Sequence, residues 1–243
     1  MDDYNNILEN YTNGLLYSLE ADYKGKLYEY AKIYGEYPMI NVNDSPYKGS
    51  GSLTRAQFLY YEMRTTARLM EELSEDEEIL KRIVSENLFQ YPTEKSLKQI
   101  GRDCLSRLHA LDNKNLIHAI AYEDSSTGKQ ICLFAMMKAH RLVWDFMITV
   151  IGDKYRNLDS NFNRSDIKAF MMRLQEQDDY VATWSESTCT RISQVLSKIL
   201  VENEYIDSWK ATKLNPVLIS RILEESIRED KLEIALPAFN CIS

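Results

Sequence analysis

The chain has 243 residues, of which 44% are hydrophobic, and its 29 Lys/Arg stand against 37 Asp/Glu for a formal net charge of −8. That length can bury one sizeable core or two small ones, and the apolar content excludes disorder throughout. The acidic balance excludes a protein that coats nucleic acid with its whole surface.

The first 53 residues hold nine of the sixteen tyrosines and a Gly/Ser/Pro/Asn-rich stretch from Asn41 to Ser52. They read as a helix over 3–18, another over 24–34, then a loop, which sets 1–53 apart as an N-terminal extension. From Thr54, a suitable cap, Phe58, Leu59, Met63, Thr66, Ala67 and Met70 recur at helical spacing. The acidic run Glu71–Glu78 suits the dipole at a helix start and leads into Ile79, Leu80, Ile83, Val84 and Leu88. Pro92 breaks the chain, and Thr93 opens a helix with Leu97, Ile100, Cys104, Leu105, Leu108 and Leu111 on its buried face. The other face is assigned Lys95, Lys98, Arg102 and Arg107, with Lys114 just beyond.

A short helix near 113–122, a turn at Asp124–Gly128 and a long helix over 130–151 follow, completing a helical bundle over 54–160. The stretch Ile131–Ile151 is the most apolar, yet Lys138, His140, Arg141 and Asp145 interrupt it. Each central charge costs about 2.5–3.5 kcal/mol on insertion scales, so the reading is a buried helix and no membrane span. Within the core, Leu97, Ile100, Leu105, Leu108, Phe134, Met137, Trp144, Ile148, Leu196 and Leu200 are expected.

Residues 161–243 read as a helix-turn-helix-like region. A helix over 164–176 buries Ile167, Phe170, Met171 and Leu174. Another, over 187–203, buries Ile192, Val195, Leu196, Ile199 and Leu200. Tyr205–Leu214 suits a strand or loop, Asn215-Pro216 would open a further helix, and Lys231–Phe239 could form a short strand. Helix, turn, helix and β-like segment is the order of a winged helix, whose second helix enters the major groove. The fold class expected is therefore all-α, a multi-helix bundle with a winged-helix-like C-terminal segment.

No catalytic constellation is present. Gly128-Lys129 lacks the other elements of a phosphate loop, and neither a Gly-x-Ser-x-Gly nor a His-Glu-x-x-His occurs. His109 and His118 have no Cys partner at zinc spacing, His140 suits a core or boundary position, and Glu71, Glu72 and Glu75 fit a solvated helix start. No cofactor or metal is expected, and the protein reads as non-enzymatic. The four cysteines are scattered, without Cys-x-x-Cys and with no signal peptide ahead of them, which points to a reducing, cytoplasmic setting.

Charge is distributed unevenly. Residues 95–141 hold eight Lys/Arg and four Asp/Glu, whereas 1–54, 55–94 and 142–243 are each acidic. The first candidate surface is the cationic face of helix 93–111 with Lys114; Thr93 and Ser96 near its start favour an anion. The second is Thr188, Thr190, Arg191, Gln194 and Lys198 on helix 187–203. Arg and Gln suit base edges, while Thr and Lys suit phosphates. Glu186, Glu202 and Glu204 frame this second surface with negative charge.

The run Glu86-Asn87-Leu88-Phe89-Gln90, followed by Ser96–Leu111 with Arg107-Leu108 and Leu111, resembles the centre of the BrxA family of bacterial BREX phage-resistance systems. Ser187-Thr188, Ile192, Leu196 and Leu200 are similar to that family's C-terminal segment, and Arg55–Met70, with Glu62 and Arg64, is compatible with its first helix. The likeness spans roughly 54–225. It implies an all-helical protein, partly NusB-like, that acts in phage defence, associates with DNA and works beside other BREX proteins. It supplies no catalytic residue. Two functions are expected in turn: a DNA-binding BREX component that takes duplex DNA with modest, sequence-independent affinity, or a helical adaptor that docks other defence proteins without nucleic acid.

Overall fold

A computed structural model describes residues 45–242. The helices expected at 3–18 and 24–34 lie outside the described residues.

Eleven α-helices follow a 3₁₀ turn at Ser50–Thr54. The first five are α1 (Tyr60–Glu72), α2 (Asp76–Ser85), α3 (Glu94–Leu111), α4 (Lys114–Tyr122) and α5 (Ser125–Ala139). Next comes α6 (Arg141–Phe146), a π-helical stretch (Met147–Gly152) and α7 (Asp153–Arg156). After these come α8 (Arg164–Gln177), α9 (Asp179–Ala182), α10 (Glu186–Glu202) and α11 (Arg221–Glu229), then a 3₁₀ segment at Glu233–Phe239.

Helix α3 sits at the centre, packed on α1, α2 and α5, while α4 closes against α1 and α5. The ten residues expected in the core are all buried, Leu108, Phe134, Leu196 and Leu200 completely. Gly101 on α3 permits the approach of α2, because a β-carbon there would meet the Leu80 side chain at 2.7 Å. Arg64 and Arg68 of α1 donate to the Glu123 and Ala121 carbonyls at 2.8 and 3.0 Å, satisfying groups at the end of α4.

Sequence and structure agree at the start of α3, and α10 begins one residue ahead of its expected span. Thr93 accepts from the Ser96 N–H, and Ser185 accepts from the Thr188 N–H. The Glu86–Gln90 run ends α2 in a Schellman turn: Asn87 takes a φ of 47°, the Asn87 N–H bonds Val84, and the Leu88 N–H reaches back to Ile83. Phe89 is thereby turned into the core.

Five expectations are corrected. Thr54 does not cap α1, since its hydroxyl donates to the Gly51 carbonyl and the helix starts after Leu59, whose φ is 56°. The long helix over 130–151 is two elements: Asp124 caps a helix that begins at Ser125, where a turn was expected, and His140 turns extended (φ −135°, ψ 106°) between α5 and α6. No wing forms; among the described residues the one β feature is an isolated bridge between Asn161 and Lys213. Within Lys231–Phe239 the stretch Glu233–Phe239 is 3₁₀, because Leu232, Ala235, Leu236 and Phe239 bury at spacings of three and four, not two. Asn215 is no cap either. Its side chain donates to Glu204 and Asp207, and α11 begins after Ser220.

The two halves of the chain meet through polar clasps as well as apolar packing. Gln130 of α5 donates to the Leu218 carbonyl at 2.9 Å and accepts from the Ser220 N–H at 2.8 Å. Tyr47 donates to Asp145 at 2.8 Å, drawing the first described residues onto α6.

Candidate nucleic-acid interface

Lys95, Lys98 and Arg102 occupy positions i, i+3 and i+7 of α3, which places them within about 60° of one another around the axis. All three are exposed, as is Lys114 at the start of α4. Among the described residues, none of the four makes an ion pair or hydrogen bond. Of the nearby carboxylates, Asp103 faces Arg55 at 3.5 Å and Asp76 meets His109 at 2.9 Å, while Glu94 and Asp112 are exposed beside the ends of the row. The stripe is a row of cations held in no ion pair.

Arg107 does not belong to it. Its side chain is 1% exposed. The guanidinium donates to the carbonyl oxygens of Ala56, of Gln57 at 2.7 Å and of Phe58 at 3.4 Å. Burial lowers the pKa of this arginine below the ordinary guanidinium value. The sequence held the signal. At about 100° per residue, Arg107 lies within 60° of Ile100, Cys104 and Leu111 and about 140° from Arg102. Its charge suggested solvent, but its angular position is the core's.

On α10 the same spacing recurs. Arg191, Gln194 and Lys198 stand at i, i+3 and i+7, all exposed, above the buried face of Ile192, Val195, Leu196, Ile199 and Leu200. Thr190 is exposed beside them, whereas Thr188 is half-buried, its hydroxyl 3.0 Å from the Ser185 cap. Lys198 is partly committed, donating to the Gln57 side chain at 2.8 Å.

Gln57, which the sequence reading passed over, connects the two surfaces. Its carbonyl accepts from Arg107 of α3 and its side-chain oxygen from Lys198 of α10. The segment 55–58 is thus a strap between the helices that carry the candidate residues. Only its tie to a buried cation would have revealed it, and that cation had been assigned to the surface.

Among the described residues, no group of three or more His, Cys, Asp or Glu could hold a metal ion. None of their helices is long and apolar enough to cross a membrane.

These features define a class: an all-α bundle, built around a buried arginine, that presents two polar helix faces to solvent. The BrxA family matches residues 46–231, and the chain belongs to it. The BREX protein BrxA of Bacillus cereus (strain H3081.97) is 30% identical over 172 residues, 71% of this chain and 84% of that one. Its Escherichia coli O9:H4 (strain HS) counterpart is 23% identical over 70% of this chain and 79% of its own. The crystal structure of an uncharacterized protein from Magnetospirillum magneticum superposes with a TM-score of 0.66 at 21% identity, covering 78% of this chain and 96% of that one. That likeness supports the fold.

Proposed function

We propose that this protein is a non-enzymatic, duplex-DNA-binding component of a BREX phage-defence system, acting in the cytoplasm beside other BREX proteins. The observation that carries the reading is the exposed, unpaired stripe Lys95, Lys98 and Arg102, extended by Lys114, in a chain of net charge −8. A local cationic face attracts phosphate within a Debye length of roughly 8–10 Å even when the whole molecule is acidic. Thr190, Arg191, Gln194 and Lys198 on α10 contribute second, with Thr188 near its cap.

Affinity is modest and largely independent of sequence, because the lysines that dominate the stripe act as point charges on phosphates. The test is duplex binding measured over a salt series. Parent protein should bind and weaken steeply with salt. Lys95→Glu, Lys98→Glu and Arg102→Glu together should abolish binding without changing the helical spectrum. Salt-sensitive binding by the triple variant equal to the parent's would overturn this surface. Absence of binding by the parent would leave the adaptor role, for which Leu218, 88% exposed beside the Gln130 clasp, offers an apolar contact.

A further inference from the structure

Residues 160–173 and 208–214 lie side by side. The Phe162 N–H donates to the Thr212 carbonyl at 3.1 Å and the Leu214 N–H to the Ser160 carbonyl at 2.8 Å. Together these two stretches hold five cations, Arg164, Lys168, Arg173, Lys210 and Lys213, and one acid, Asp166. Asp166 is taken up by Lys154 at 3.3 Å, and Arg173 faces Asp153. Four cations remain on a surface that shares no residue with the α3 and α10 stripes.

At its middle stands Trp209, 51% exposed and outside the hydrophobic core. The guanidinium carbon of Arg164 lies over the indole ring, 3.8 Å from its centroid, so the cation sits in contact with the face of the ring. Arg164 Nε also donates to the Trp209 carbonyl at 3.3 Å, which holds the guanidinium in place. The Lys210 ammonium lies 4.8 Å from the same ring. Lys168, one turn beyond Arg164 on α8, adds charge to the same side. A large aromatic that stabilises no core, clamped by a planar cation and ringed by lysines, is built for a flat, anionic ligand.

We propose that Arg164 and Trp209 form a stacking platform for an unpaired base of single-stranded nucleic acid, with Lys168, Lys210 and Lys213 taking its phosphates. Every base has a π-face, so such a platform binds without sequence preference. Bases in a duplex are already stacked on one another and offer no face, which separates this site from a phosphate-only stripe. The shared chemistry is an unpaired base on a phosphodiester chain, and DNA or RNA can supply it.

The experiment measures fluorescence anisotropy of the full chain with labelled oligothymidylate, oligouridylate and an abasic strand of equal length, at low salt. At least one base-bearing strand should bind about tenfold tighter than the abasic one. Trp209→Ala should remove that difference while leaving abasic binding and the helical spectrum unchanged. Trp209→Phe should retain part of it, and Arg164→Lys, which keeps charge without the plane, should lose most of it. The triple Glu variant of the α3 stripe should keep the base-dependent difference, so the two sites fail separately. Thymidylate and uridylate differ in the sugar and in the 5-methyl group of the base, so a preference between them tells the DNA strand from the RNA strand and supports the site either way. Equal binding of base-bearing and abasic strands, an undiminished difference in Trp209→Ala, or displacement of base-bearing strands by phosphatidylserine vesicles overturns the proposal.

Discussion

Arg107 and Gln57, fifty residues apart, are joined by a 2.7 Å hydrogen bond from the guanidinium to a main-chain carbonyl. The bond holds the strap that leads into α1 at the point where Leu59 takes a left-handed φ of 56°. A branched residue in that conformation costs about 1–3 kcal/mol and persists only where its surroundings impose it. Arg107 ties down the three residues that lead into it, and its positive charge, buried without a carboxylate partner among the described residues, is solvated by the carbonyls of Ala56, Gln57 and Phe58.

Arg107→Ala should therefore destabilise the fold by about 3 kcal/mol or more, since buried carbonyls lose their donor and a cavity opens. Urea titration measures it. Lys98→Ala and Arg102→Ala, on the same helix, should each change stability by no more than about 0.5 kcal/mol. An Arg107→Ala variant as stable as those two would show that the strap stands without it.

Leu108→Ala tests the packing next to that residue. Leu108 is fully buried, so truncation should cost about 2–5 kcal/mol in the same titration. A loss below about 0.5 kcal/mol would mean that the face of α3 is wrongly assigned.

What the sequence disclosed and what it hid divide along a physical line. The apolar faces of α3, α8 and α10 were legible because burial repeats every three to four residues there. The Thr93 end was legible because caps are local chemistry. The break at His140 was not, since neither Pro nor Gly marks it; the turn is made by packing between α5 and α6. Tyr205 and Ile206 looked like strand because they are β-formers, yet they are buried in an irregular segment. At the candidate site, Lys95, Lys98 and Arg102 were placed correctly on solvent, and Arg107 was misplaced by residue type. The family-like Arg107-Leu108 pair thus belongs to the interior, where it shapes the fold.

For the α3 stripe, single substitutions carry more information than triple ones. Lys98→Ala should reduce the slope of log affinity against log salt by about 1, and weaken every duplex sequence equally. Arg191→Glu with Lys198→Glu should weaken binding less than a charge reversal on α3, because Gln57 already occupies Lys198. Loss confined to particular sequences would mean base contacts, and would turn attention to Arg191 and Gln194.

His140 supplies a pH dependence whose sign follows from its position between α5 and α6. Burial foremost, and then the neighbouring Arg107 charge, lowers its pKa from 6.5 to about 4. Well above pH 6.5 the imidazole is neutral both folded and unfolded, so it contributes no slope. Between 6.5 and about 4 the unfolded chain takes up a proton that the folded chain refuses, and stability falls as pH falls. Below that window both states are protonated and the dependence levels off. Between pH 7 and pH 5 this one group should remove about 2 kcal/mol. Urea titrations of the parent and His140→Asn at both pH values measure the difference, in which the contributions of the other titrating groups cancel. Asparagine is neutral throughout and suits the N-cap of α6. The variant should lose about 2 kcal/mol less than the parent on acidification, and equal losses would show that His140 accepts its proton in the folded state.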